Sequence, residues 1–495
     1  MEWMVTRMAN LTKDDIRQVI ETIKELYLED MIPWIIGYSG GKDSTAVTQL
    51  VWYALQELPK DKLKKTVHVI STDTLVESPV VAIWASESLR KMATKAKEDE
   101  LPIIPHRLTP AITNTFWVNL IGRGYPYPRR DFRWCTDRMK IDASNRFIKS
   151  ILDAESEAIM VLGSRKAEST VRKAVLEGYE KKRYRAHLSP NGSFPNSYVF
   201  TPIENWLNDN VWQYLVQVPN PWGHSNKDLL AMYSGASADG ECPLVIDSTT
   251  PSCGNSRFGC WVCTMVTEDK SMAAMIQNDE EKAWMLPMLE FRNEIAADWQ
   301  TDRDRRDFRR KGGGLTWHNN RLVHGPYTKD AREYFLRRLL EVEKLIHEIG
   351  PDEIKEVPLI TMEELKFIRQ IWLDEKHEFD DSLPRIYEEV TGKKYEDGTI
   401  SKNKYFGAAE AELLKTVCAE LYPDEQLLAE MQRALLDTEA KAAAISNKHN
   451  VIVNFEKEIK KAFYRDEAEA EIIAEQRAKR VTGPLEEIDA DDFVE

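Results

Sequence analysis

Apolar residues recur at Ile16, Val19, Ile20, Ile23 and Leu26, behind Thr12-Lys13-Asp14-Asp15. Spacing of three and four puts them on one helical stripe, and Thr with Asp three positions on is a capping signal. The period then changes. Trp34-Ile35-Ile36-Gly37 is a short unbroken apolar run and predicts a buried strand; Ala46-Val47-Thr48-Gln49-Leu50-Val51-Trp52 predicts a helix ending near Leu58-Pro59. Residues 66–72 are rich in β-branched side chains and predict a second strand that closes at Asp73-Thr74. A helical pattern around Val80, Ile83, Trp84 and Leu89 fades in residues 95–100, and Pro102-Ile103-Ile104-Pro105-His106-Arg107 reads as a short third strand. Ala158-Ile159-Met160-Val161-Leu162-Gly163 reads as a fourth, buried on both faces. Strands alternating with helices predict right-handed βαβ units, hence an α/β fold with a doubly wound parallel sheet.

Beyond residue 225 the pattern weakens. Residues 226–275 gain Gly, Ser and Cys and lose periodicity, which predicts an irregular cysteine-rich module. Residues 276–350 are helical again, broken at Lys311-Gly312-Gly313-Gly314, with a clear amphipathic helix over 333–345. Gly350-Pro351 marks a boundary. Residues 351–480, rich in Ala, Glu, Lys and Leu from 408, predict a helical appendage that packs on the body or docks a partner. The expected organisation is an N-terminal helix (1–30), an α/β domain (31–225), the cysteine module (226–275), a helical region (276–350), the appendage (351–480) and an acidic disordered tail (481–495). No internal repeat is visible.

Composition adds bounds. A chain of 495 residues suits about two to four domains. With 42% hydrophobic and 30% charged residues it is ordinary for a soluble protein, without a run that spans a membrane or a signal-peptide pattern at Met1. Six cysteines are too few for a disulfide scaffold of this size and point to a reducing compartment, by default the cytoplasm. A net charge of −15 argues against the whole chain being a polyanion binder. Two stretches run against it: Arg172, Lys173, Lys181, Lys182, Arg183 and Arg185, then Arg303, Arg305, Arg306, Arg309, Arg310 and Lys311. Each reads by default as a solvated face, with nucleic acid as the alternative.

The chemistry concentrates first at Ser39-Gly40-Gly41-Lys42-Asp43-Ser44-Thr45, between the first strand and its helix. Strand, glycine turn and helix start aim backbone N–H groups and a helix dipole at an anion. The G-x4-G-K-S/T loop does not fit, and G-x-G-x-x-G is absent. In a parallel sheet ligands sit beyond the carboxyl ends of the strands, where Asp73 and Gly163-Ser164-Arg165 also fall. Downstream stand Arg133-Trp134-Cys135-Thr136 with Lys140, then G-x-R-x-x-E-S over Gly163–Ser169, then Pro202-Ile203 with Trp206, Val211-Trp212 and Tyr214-Leu215. In this order after S-G-G-K-D-S they resemble the PP-loop ATP pyrophosphatases and PAPS reductase-like proteins over residues 30–225. That resemblance implies a loop that cradles a pyrophosphate leaving group.

Cys242, Cys253, Cys260 and Cys263 share one irregular segment ending in a C-x2-C pair. Four thiolates suit structural zinc or an iron–sulfur cluster; unligated thiols or a redox pair are the other readings. With the upstream motifs, Pro251-Ser252-Cys253-Gly254-Asn255-Ser256-Arg257-Phe258-Gly259-Cys260-Trp261-Val262-Cys263 is similar to the DndC family, the sulfurtransferase-like component of bacterial DNA phosphorothioation systems, across residues 1–345. The resemblance implies a 4Fe-4S cluster on these four cysteines, with zinc as the alternative. It also implies a cysteine desulfurase as donor of sulfur and cluster, and further phosphorothioation proteins that handle the DNA substrate. Cys135 is flanked by Arg129, Arg130, Arg133 and Arg138, which predicts a lowered thiol pKa. It reads as a sulfur carrier, a nucleophile toward an activated phosphate, a cluster ligand, or a packed small residue. Cys418 reads as a plain core or surface thiol.

The expected reaction is adenylation of a backbone phosphate, with ATP going to AMP and pyrophosphate, so that sulfur replaces a non-bridging oxygen. Ser39, Gly40, Gly41, Asp43 and Ser44, with Thr45 behind them, would bind the β,γ-phosphates, and Lys42 with Mg²⁺ would offset charge at the α-phosphate. Asp73, Gly163 and Arg165 would hold adenosine and the activated phosphate; the catalytic set is Lys42, Asp43 and Cys135. The rivals are a reductase of adenylylated sulfate, against which stands the lack of a thiol after Cys418, and a cluster-bearing scaffold without catalysis.

Overall fold

The computed structural model describes residues 11–130, 132–236, 259–396, 407–423, 425, 427–443 and 451–482. Contacts divide the chain into two units, one of Met1–Phe116, Pro128–Asn293 and Leu345–Val357, the other of Trp117–Tyr127, Glu294–Lys344 and Pro358–Glu495.

The first unit opens with α1 (Lys13–Glu29), capped as its sequence predicts: Thr12 Oγ1 accepts the Asp15 N–H (3.1 Å) and the Asp15 carboxylate accepts the Thr12 N–H (2.8 Å). Then come β1 (Trp34–Gly37), α2 (Lys42–Gln56), β2 (Val67–Thr72), α3 (Pro79–Glu98), β3 (Ile103–Leu108), α4 (Asp142–Glu155), β4 (Ala158–Val161), α5 (Thr170–Glu180), β5 (Ser189–Pro190), β6 (Ser197–Phe200), α6 (Asn208–Gln217), α7 (Asn226–Gly235) and α8 (Lys270–Asn278). The sheet runs β3-β2-β1-β4-β6-β5, parallel throughout except at β5. Trp34 stands opposite Val67 on one side and Ile159 on the other, so β1 is central.

Alternation along the strands sorts the core into two layers. Trp34, Ile36, Val67, Val69, Ile159 and Val161 pack with α1, α2, α3, α6 and α7. Ile35, Ile70, Ala158, Met160 and Val199 pack against Ile148 of α4. Helices cover both faces, as continuous apolar strands require. In this sheet two strands, β5 and β6, go beyond the four that the pattern predicts. β6 is only Ser197-Tyr198-Val199-Phe200, too short to read as a strand without β4 beside it. Nor is 226–275 irregular throughout: Asn226–Gly235 and Lys270–Asn278 are helices.

The second unit follows α9 (Leu286–Ile295) with α10 (Trp299–Asp304), β7 (Trp317–His318), β8 (Arg321–Leu322), α11 (Lys329–Ile349), α12 (Met362–Asp374), α13 (Ser382–Thr391), α14 (Ala408–Leu421), α15 (Leu428–Ala443), α16 (Val451–Lys461) and α17 (Glu467–Thr482). The β7–β8 turn uses Asn319 and Asn320, both at positive φ (49° and 56°), the backbone a tight hairpin demands. The basic stretch of 303–311 is spent inside this unit. Arg303 bonds Glu467 (2.7 Å), Arg306 faces Asp302 (3.2 Å), and Arg309 bonds Asp307 and Glu430 (2.6 and 2.9 Å). Among the described residues no helix is long and apolar enough to cross a membrane.

Between β2 and the edge strand β3, His68 Nδ1 and His106 Nε2 share a hydrogen bond of 3.0 Å, with the ring of Phe147 from α4 4.7 Å from that of His106. Burial, and then the charge of His106, pull the His68 pKa down to about 4; burial lowers His106 as well. An unfolded histidine titrates near 6.5, so between about pH 6.5 and 4 the unfolded chain takes up a proton that native His68 refuses. Stability therefore falls as the solution is acidified through that window. Urea midpoints measured at pH 7 and pH 5 should drop for the wild type and drop less for His68→Phe; equal drops would remove His68 from the explanation.

Candidate active site

β1 ends at Gly37, and Tyr38 still bonds β2 through its N–H to Ile70 O (2.8 Å). The chain leaves the sheet at Ser39 and turns through Gly40 at φ +73°, a conformation that favours glycine. The indole of Trp84 donates to Gly40 O (3.2 Å). Ser44 Oγ accepts the Ser39 N–H (3.2 Å) and donates to Gly41 O (3.0 Å), so the loop's serines brace it. α2 starts at Lys42 with Gly41 as its N-cap and no side chain capping it, which leaves the dipole end available to an anion. Ser39 to Asp43 line a cavity of about 640 Å³, while Ser44 and Thr45 are buried in the first turn of α2 behind it.

The other carboxyl ends meet this loop. Arg165, 3% exposed, donates from Nε to Asp43 Oδ1 (2.7 Å) and from Nη1 to Trp206 O (3.3 Å). A Cβ at Gly163 would stand 2.9 Å from the Asp43 carbonyl carbon; Gly163 thus admits the loop against the end of β4, and it does not line the cavity. Asp73 lines it from β2, accepting from Arg107 Nε (3.0 Å) and from the Leu75 N–H (2.8 Å). Glu77, Lys140, Arg107, Arg172 and Tyr233 also line it, none of them expected as site residues.

Each cation on this wall sits in an ion pair: Lys42 with Asp43 (3.3 Å), Arg165 with Asp43, Arg107 with Asp73, Lys140 with Glu77 (3.4 Å) and Arg172 with Glu168 (3.5 Å). A magnesium polyphosphate can enter such a wall by partner exchange, phosphate oxygens taking the cations and the metal the carboxylates. Tyr233, from α7, steers Lys42. Its hydroxyl accepts the Lys42 N–H (3.4 Å), and Lys42 Nζ lies 5.3 Å from its ring centroid.

Cys260 and Cys263 form one turn, closed by the Cys263 N–H to Cys260 O (2.9 Å). Trp261 is buried and bonds Val76 O through its N–H (3.0 Å), which ties the turn to the loop after β2. Arg292, 1% exposed, clamps the far side, donating to Cys263 O (2.8 Å) and Thr267 O (2.8 Å). Cys260 Sγ lies 3.3 Å from Thr74 Oγ1 and 3.7 Å from Glu77 Oε1. Burial, then the Glu77 carboxylate, push its thiol pKa up to about 12, against the pull of Lys140. The charge of Cys260, then that of Glu77, raises Lys140 in turn, against its own burial.

Cys135 corrects an expectation. Its pKa is raised, burial being the largest cause, with the charge of Cys263 adding to it. Two of the four flanking arginines turn to other acceptors, Arg133 Nε to Arg130 O (2.9 Å) and Arg138 Nη1 to Asn114 Oδ1 (3.2 Å). Cys135 opens directly into a π-helical turn, Thr136–Ile141, that brings Lys140 to the cavity. Of the four expected cluster ligands, Cys242 and Cys253 lie outside the described residues. Among the described residues no group of three or more His, Cys, Asp or Glu is arranged to hold a metal ion. Cys418 is buried in α14.

Tyr233→Phe keeps the ring beside Lys42 Nζ and removes the hydroxyl; Tyr233→Leu removes both. Calorimetry of Mg-ATP binding should show about threefold weakening for the first and about tenfold for the second, as cation–π and neutral hydrogen-bond energies imply. Equal affinities in both variants and the wild type would free Lys42 from Tyr233.

Residues 33–222 match the phosphoadenosine phosphosulfate reductase domain family. An uncharacterized protein of Methanocaldococcus jannaschii is 27% identical over 210 residues, 42% of this chain and 36% of that protein, so the chain spans little more than a third of that relative's length. Solved structures similar to this chain include the phosphoadenylyl-sulfate reductase of Candida auris in a phosphate complex, at 14% identity and a TM-score of 0.26, covering 43% of this chain and 91% of that one. Another is the U34-tRNA thiolase NcsA of Methanococcus maripaludis with its 4Fe-4S cluster, at 13% identity and a TM-score of 0.28, covering 57% and 77%. The likeness to that domain family thus takes in strands β1 to β6 and stops before the Cys260–Cys263 turn.

Proposed function

We propose that this chain is an ATP pyrophosphatase and sulfurtransferase of the DndC type, which adenylates a DNA backbone phosphate and replaces one non-bridging oxygen by sulfur. One observation carries the reading: the cavity lined by Ser39 to Asp43 is also lined by Glu77 and Lys140, and Glu77 reaches Cys260. Glu77 thus links the phosphate-binding cavity to the thiol of Cys260, which does not itself line that space.

In this reading the loop and the N-terminus of α2 hold the β,γ-phosphates of ATP. A non-bridging oxygen of the DNA phosphate attacks the α-phosphorus, the α–β bond breaks, and pyrophosphate leaves with the bond electrons. Lys42, swung from Asp43 to the α-phosphate, offsets the charge gained there, and Mg²⁺ does the same on the leaving group. Asp43 acts by holding Arg165, which keeps the β4 loop beside the reacting phosphate; Asp73 orients adenosine through its place at the end of β2. A sulfur nucleophile at the oxidation level of hydrosulfide then forms the P–S bond, and AMP leaves with the DNA oxygen. If Cys135 carries that sulfur as a persulfide, a thiol reductant must split the S–S bond. A cysteine desulfurase would supply the sulfur, further phosphorothioation proteins would present the DNA, and the cytoplasm would keep the thiols reduced. A bound 4Fe-4S cluster would supply sulfur or redox chemistry next to the same cavity.

The matched domain family supports a second reading, reduction of an adenylylated sulfate, which needs no ATP cleavage. Products separate the two. Incubated with ATP, Mg²⁺, duplex DNA and sulfide, the full chain with its partners should yield AMP and pyrophosphate. Lys42→Ala should lower that rate by about 100-fold, the usual loss of a transition-state cation. Release of ADP and phosphate, or of sulfite from adenylylated sulfate without ATP use, would overturn the proposal.

A further inference from the structure

One surface beside the cavity has no role in the chemistry above. α5 starts at its mouth, where Ala167, Glu168 and Arg172 form part of the wall. Residues 169–175 are all exposed, Val171 at 71%. From Lys166 to Arg185 seven cations stand against three carboxylates, in a chain whose net charge is −15. Those carboxylates are engaged: Glu168 with Arg172 (3.5 Å), Glu180 with Lys166 (2.6 Å), and Glu177 at 3.9 Å from Lys173. Lys181 and Lys182 are exposed and carry no ion pair among the described residues. Arg183 and Arg185 are taken by Glu204 (3.2 Å) and Asp30, much as Arg303, Arg306 and Arg309 are consumed by carboxylates of their own unit, so the open cations of this surface are the lysines.

We infer that α5 and the turn after it seat the phosphodiester backbone of duplex DNA at the cavity mouth. The inference rests on the proposed DNA substrate and adds the surface that holds it. A phosphate that reacts inside the cavity has neighbours on both sides, and they must lie at its rim. Arg172 joins the two places, lining the cavity while sitting in the first turn of α5. From Arg172 to Lys182 the helical rise is about 15 Å, or roughly four steps along one strand of the duplex. Lys173, Lys181 and Lys182 would then neutralise phosphates next to the reacting one, and the exposed valines would lie against sugar faces. Such contacts hold DNA without reading its sequence. An acidic protein is the competing occupant, and the test includes it.

The experiment compares the full chain with the variant K173Q/K181Q/K182Q, using fluorescence anisotropy of a labelled duplex over about 50 to 200 mM salt. Each lost phosphate contact removes about 0.9 from the log–log salt slope, so the variant's slope should be shallower by about 3 and its low-salt affinity weaker by about 10- to 100-fold. Mg-ATP affinity should be unchanged, which shows that the variant is folded. Equal slopes for the two proteins would overturn the inference. So would a wild type that binds no duplex, or one that binds polyglutamate in its place through the same lysines. If the wild type makes ADP and phosphate from ATP yet shows this lysine-dependent binding, the proposed chemistry fails and the DNA surface stands.

Discussion

The Asp43–Arg165 pair is the contact on which the site depends. It joins the first turn of α2 to the segment after β4, across two strands that are neighbours only because the sheet is parallel with β1 at its centre. Arg165 is buried and its second bond goes to Trp206 O, so it cannot follow Asp43 if the loop drifts. Leaving such a cation unpaired in the interior costs several kcal/mol, about 3–5 when one partner is removed. Gly163 completes the constraint, since any side chain there would push the two carboxyl ends apart. The loop is therefore held from below by β4, from the side by Trp84 and from above by Tyr233.

The cysteine turn is attached to the same sheet edge by other means. The Cys260–Cys263 turn hangs on Val76 through a backbone bond and on Arg292 through its carbonyls, and Glu77 touches both the turn and the cavity. Thiols this well buried stay protonated, as the raised values of Cys135 and Cys260 indicate. Any chemistry that needs the thiolate must expel a proton, and the charge of Lys140 beside Cys260 favours that.

Legibility followed sequence distance. The loop at Ser39–Ser44, the helix after it and the buried strand at Ala158 were readable because each is local, and so was the placing of Arg165 at a strand end. What escaped depended on partners far along the chain. Tyr233 meets Lys42 across 191 positions, and nothing in 226–235 marks it. Lys140 reaches the cavity through a π-helical turn that periodicity does not encode. At Cys135 the neighbouring arginines in sequence are not the groups that set its pKa; burial is, and burial is a property of the fold. The two basic stretches look alike in sequence, yet Arg303, Arg306 and Arg309 are held in ion pairs within their unit while Lys181 and Lys182 stand exposed beyond α5.

In the proposed reaction one cavity adenylates a DNA phosphate oxygen, which then leaves with AMP. Duplex DNA carrying a heavy-oxygen label on its non-bridging phosphate oxygens tests this most directly, with the AMP analysed by mass spectrometry after turnover. The label is expected in AMP in step with sulfur entering the DNA. Unlabelled AMP alongside sulfur-bearing DNA would contradict it, because the departing oxygen would then have left by another route.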